Sequence, residues 1–92
     1  MDAVTVTQRG GTEHGLREFA VRVGNREHHV TVSDDDARDL AAGASADDLV
    51  RESFAFLLER EPAGSILASF DLSVISRYFP EYRTEIRRRL RG

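Results

Sequence analysis

The dipeptide Gly24-Asn25 constrains this chain more than any other feature, because it stands between two runs that alternate apolar and polar residues. Both residues tolerate positive φ, which a two-residue hairpin turn demands. With them as the loop, a register follows: Val23 faces Arg26, Arg22 faces Glu27, Val21 faces His28, Ala20 faces His29 and Phe19 faces Val30. The Arg22–Glu27 pair supports it, since opposite charges across strands add a few tenths of a kcal/mol. Upstream, Ala3 to Arg9 alternates in the same way, with Val4 and Val6 on one face and Thr5 and Thr7 on the other. A polar loop between Gly10 and Gly15 joins it to the hairpin. The pattern predicts a three-stranded antiparallel β-meander over about 3–9, 16–23 and 26–32. Its apolar face must be covered by another layer.

The remainder reads as helix. Ser33 or Asp34 can cap a short helix through Leu40, three Asp suit its positive end, and Gly43 can stop it. Ser45-Ala46-Asp47-Asp48 resembles a capping box with Asp in place of Glu. The predicted central helix runs over about 46–61 and ends at Pro62. Its apolar arc is about 200° wide, broader than a surface helix needs, so one flank is expected on the sheet and the other on later helices. The C-terminal third breaks into short pieces. Ile66, Leu67 and Phe70 suit a helical turn or two. Asp71 can cap a segment holding Leu72, Val74, Ile75, Tyr78 and Phe79, all expected in the core. Pro80 suits the first turn of a last helix whose stripe is Phe79, Tyr82, Ile86 and Leu90. The fold class is α+β in one domain, 1–92: meander over 1–33, helical part over 34–92. The expected core is Phe19, Val21, Val30, Val32, Leu49, Val50, Phe54, Leu57 and Leu58.

Composition narrows the chemistry. All 13 basic residues are Arg, and the chain contains neither Cys nor Trp. Disulfides, Cys-ligated metals, Cys nucleophiles and Lys Schiff bases are therefore excluded. No apolar run approaches the ~18 residues of a membrane span, and Met1 to Gln8 lacks a secretory pattern, so a cytoplasmic domain is expected. Charge divides the chain: residues 1–33 are neutral, 34–62 carry a net −6 and 63–92 a net +3.

The candidate sites are few. His28 and His29 are adjacent in a strand and point to opposite faces, so they cannot share a metal. His28 is expected half-buried at the sheet edge, His29 in solvent and His14 in a loop. Asp34-Asp35-Asp36 lacks the spacing of a calcium loop and reads as a solvated helix start. No Ser lies in a nucleophile elbow, and no Gly-rich loop leads from a strand into a helix. No catalytic residue, cofactor or metal ligand is assigned. At the C-terminus, Arg88 and Arg89 can pair with Glu85 one turn away. Arg83, Arg87 and Arg91 form an i, i+4, i+8 row with no acid in reach along the helix. The row could meet phosphates, or carboxylates of a partner or of the acidic middle segment.

The blocks Leu49 to Pro62, Ser65-Ile66-Leu67 and Phe70 to Tyr82 resemble a family of short uncharacterised bacterial proteins, over about a third of the chain. The resemblance implies no activity and carries over no functional residue. Strands followed by helices also resemble small antitoxin and regulatory domains in architecture, which does not give function. The expectation is a non-enzymatic protein-interaction or regulatory domain that contacts an unknown protein. The second reading is an antitoxin-like nucleic-acid-binding regulator using the Arg row. A homodimer is expected through the unblunted edge of the first strand or through the second flank of the central helix.

Overall fold

The computed structural model describes residues 4–10, 15–41 and 43–91. The start of the first strand at Ala3 and the loop His14 lie outside them. The meander forms as β1 (Val4–Gly10), β2 (Leu16–Val23) and β3 (Arg26–Ser33), all antiparallel. Every β2–β3 pairing expected from the Gly24-Asn25 turn is present, with Gly24 at φ 60°. Arg22 Nη2 donates to Glu27 Oε1 at 3.4 Å. The β1–β2 ladder shifts register between Gln8 and Gly10.

The sheet has four strands, where the sequence pattern predicts three. β4 (Ser69–Asp71) pairs with β3 in parallel, in the order β1-β2-β3-β4. The His29 N–H donates to the Ala68 carbonyl at 2.7 Å, and the Thr31 hydroxyl donates to Asp71 Oδ1 at 2.7 Å. The expected helical turn at Ile66–Phe70 is thus corrected: only Ala63–Ser65 makes a 3-10 turn, and the chain then extends to reach β3. The outer backbone edge of β3 needs hydrogen-bond partners, and β4 supplies them.

The helices form close to where their caps put them. In α1 (Asp34–Ala41) the Ser33 hydroxyl accepts from the Asp36 N–H at 3.0 Å. In α2 (Ala46–Arg60) Ser45 caps by accepting from the Asp48 N–H at 3.1 Å. Glu61 is the C-cap of α2, and its N–H donates to the Leu57 carbonyl at 2.7 Å. Asp71 caps the 3-10 turn Leu72–Val74, which runs on into α3 (Ile75–Tyr78). α4 spans Tyr82–Arg91. Pro80 therefore precedes α4 instead of opening it.

One core joins sheet and helices. Eight of the nine expected core residues are buried, and Leu58 is half-buried. α2 uses both flanks, as its wide apolar arc implies. On one side Phe54 meets His28 and Phe70, with ring centroids 5.4 and 5.9 Å away. On the other Phe56 meets Phe79 and Tyr82 edge-on, at 5.9 and 5.4 Å. Tyr82 is fully buried, and its hydroxyl lies 2.6 Å from Ser53 Oγ, which donates to the Leu49 carbonyl. Burial pushes the Tyr82 phenol up to about 12.

Candidate functional site

Two surfaces compete for a functional role: the Arg row on α4, and a groove at the far end of α2. The row is built by helical spacing, which puts Arg83, Arg87 and Arg91 on one line. α1 packs beside α4 and brings its acids to that line. Arg83 Nη2 lies 2.6 Å from Asp39 Oδ2 and 3.4 Å from Asp36 Oδ1. Arg87 Nη2 reaches the same Asp39 oxygen at 2.6 Å. The guanidinium of Arg87, then that of Arg83, holds the Asp39 carboxyl below its ordinary range. Arg91 is exposed and makes no ion pair among the described residues. Two of the three row members are therefore engaged within the chain.

The other Arg of α4 are engaged as their spacing predicts. Arg88 and Arg89 close on Glu85 at 2.6 and 2.9 Å. Arg88 and Arg89 together lower the Glu85 carboxyl to about 2. Arg89 also reaches Glu59 of α2 at 2.6 Å. Arg60 lies 3.6 Å above the centre of the Phe56 ring and bonds Glu81 at 3.4 Å. That face of the molecule is a lattice of matched charges.

The groove follows from the β4 correction. Past the 3-10 turn that follows α2, residues 66–68 lead into β4 beside β3, and α3 comes after it. A cavity of about 260 Å³ remains between them. Its walls are Leu57 of α2 and its C-cap Glu61, Ser65, Ile66 and Leu67 of the connecting segment, Phe70 of β4, and Val74, Ile75, Tyr78 and Phe79. Tyr78 is 70% exposed and Leu67 52%, so the expected core position of Tyr78 is corrected: it stands at the groove. α3 is four residues long, and that single turn cannot bury Val74, Ile75, Tyr78 and Phe79 together.

His28 secures the wall. It is buried, not half-buried at an edge as expected, because its ring packs on Phe54 and the segment leading into β4 passes beside it. Its Nδ1 is 2.8 Å from the Leu67 carbonyl oxygen, which can only accept, so Nδ1 carries the proton. Its Nε2 is buried and has no hydrogen-bond partner among the described residues. His29 faces the other side of the sheet, exposed, 3.3 Å from Glu18. The described residues contain no cluster of His, Cys, Asp or Glu that could hold a metal ion.

No family model, curated protein or solved structure matches this chain. No helix among the described residues is long and apolar enough to cross a membrane.

Proposed function

We propose that this is a small non-enzymatic protein-interaction domain of the cytoplasm that grips its partner in the groove between α2 and α3. The observation that carries this reading is the exposure of Tyr78 and Leu67 over an apolar floor. Exposed aromatic residues beside a desolvated pocket are the usual anchors of protein interfaces. At about 260 Å³ the cavity is below the ~300–1,000 Å³ of small-molecule sites. It suits one or two side chains of a partner better than a whole cofactor.

The engagement of Arg83 and Arg87 by Asp39 counts against the nucleic-acid reading, since a guanidinium already paired gains less from a phosphate. The test is affinity capture from the native cell, with the parent and Tyr78→Ala side by side. A protein retained by the parent and lost by the variant supports this reading; identical capture by both overturns it.

A homodimer is a separate part of the reading, supported by β1. Among the described strands β1 is paired on one side only, over seven residues, and Lys and Pro are absent from it. A second copy pairing there makes a two-fold interface. Light scattering across a hundredfold concentration range decides it: a constant mass of ~10 kDa removes the dimer.

A further inference from the structure

The groove is mainly apolar, with Ser65 and the Tyr78 hydroxyl as its neutral polar groups. Glu61 is the single charged residue among those lining it, and it makes no ion pair among the described residues. Its neighbours are treated differently. Glu59 is held by Arg89, which lowers its carboxyl below the ordinary range, and Glu81 is held by Arg60. Glu61 is also the C-cap of α2, so its carboxylate stands at the negative end of a fifteen-residue helix. A cation is favoured there and an anion is not. The fold thus leaves Glu61 without an ion pair among the described residues, at the negative end of α2 and at the mouth of a mainly apolar groove.

We propose that the groove takes a segment of a partner protein that carries an apolar anchor next to an Arg or Lys. This rests on the interaction reading above and adds the chemistry of the partner. The apolar side chain enters between Leu57, Ile66, Phe70 and Tyr78, and the basic side chain closes on the Glu61 carboxylate. That pairing does for Glu61 what Arg89 does for Glu59. Electrostatic matching of this kind selects among partners more than it adds affinity, so acidic apolar segments are rejected by Glu61.

The experiment selects binders to the full chain from a library of random linear peptides. Those retained are synthesised with capped termini. They are titrated against the parent, Tyr78→Ala, Glu61→Gln and Glu61→Arg, after thermal melts have shown that each variant folds. Phenethylamine, an apolar cation without a peptide backbone, is titrated as a second probe. The expected result is that retained peptides pair an apolar residue with Arg or Lys. Exchanging that basic residue for Glu weakens parent binding about tenfold or more, and Glu61→Arg reverses the preference. Peptides that bind the parent, are lost with Tyr78→Ala, but ignore both Glu61 variants overturn the charge assignment and leave the interaction reading standing. Peptides that ignore Tyr78→Ala as well, or no retained peptide at all, overturn both. Phenethylamine binding as tightly as the peptides, at the same residues, overturns the protein segment as occupant.

Discussion

The two ends of α2 and α4 face opposite demands. Where α4 lies against α1 and α2, nearly every charge meets its opposite: Arg83 and Arg87 with Asp39, Arg89 with Glu59 and Glu85, Arg88 with Glu85. Where α2 ends, Glu61 makes no ion pair among the described residues, Tyr78 stands out and Leu67 is half in solvent. The first surface needs nothing further from outside. The second is locally inconsistent with a chain that only has to fold, and such inconsistencies gather where a protein meets something else.

The comparison breaks most visibly through the residue beneath the groove. Phe54 is fully buried between His28 and Phe70, so Phe54→Ala removes the support of the groove floor. The expected cost in a denaturant melt is ~3–5 kcal/mol, the usual range for a buried aromatic truncated in a core. A loss below about 1 kcal/mol would mean that the ring stack does not hold the sheet to α2.

On the matched side the next effect comes from Tyr82. Tyr82→Phe deletes the hydroxyl bonded to Ser53 but leaves Ser53 its bond to Leu49, so about 1 kcal/mol is expected. The same residue gives a pH signature. Its folded value is raised to about 12 from an ordinary 10.0, because burial disfavours the phenolate. The stability it contributes is fully present below pH 10 and is lost as pH rises toward 12. A titration of stability with pH therefore shows an alkaline decline that is shallower in Tyr82→Phe. Equal declines in both proteins would remove Tyr82 as its source.

How far the sequence disclosed these two sides depended on the length of the signal. The hairpin was legible because turn, alternation and charge pair are all local to Arg22–Glu27. The caps at Ser33, Ser45 and Asp71 were legible for the same reason, each satisfying a backbone N–H two or three residues on. β4 was not: three residues cannot display a period of two, and its ladder partner Thr31 lies 40 residues away from Asp71. From that one miss came the others. His28 was read as an edge residue because no strand was expected beyond β3. The groove had no precursor, because it is the space left when residues 66–68 run to the sheet. The Arg row was visible by spacing and the acidic middle segment stood among its expected partners, but nothing local singled out Asp36 and Asp39, 44 to 48 residues away.

Tyr78 sharpens the comparison from the groove side, with a smaller effect on folding. At 70% exposure its ring contributes little to the core, so Tyr78→Ala is expected to change stability by no more than about 0.5 kcal/mol. Partner capture should be lost in the same variant. A large loss of stability would instead make Tyr78 a structural residue, and the groove would lose its principal anchor.

The smallest effect in the parent is the one that tests the matched surface itself. With Arg83 and Arg87 held by Asp39, only Arg91 of the row is left to meet a phosphate. Each phosphate neutralised contributes about −0.9 to the slope of log K against log salt, so the parent slope is about −1 and duplex binding at ~150 mM salt is negligible. Asp39→Asn keeps the shape of the side chain and removes its charge, which frees Arg87 from its ion pair and leaves Arg83 only its longer contact with Asp36. Duplex binding should then strengthen, and the slope should steepen by about one to two. Asp39 predicts the same change without mutation: its carboxyl is held below the ordinary value of 3.8, and the contribution of its pairs to stability fades as pH falls through and below that value. These pairs are exposed, so raising the salt should weaken them too. If Asp39→Asn binds mixed-sequence duplex no better than the parent, the pairs are not what withholds the row from phosphate. If the parent already binds below micromolar at ~150 mM salt, with a slope that falls in Arg87→Ala, α4 is a nucleic-acid surface in spite of them.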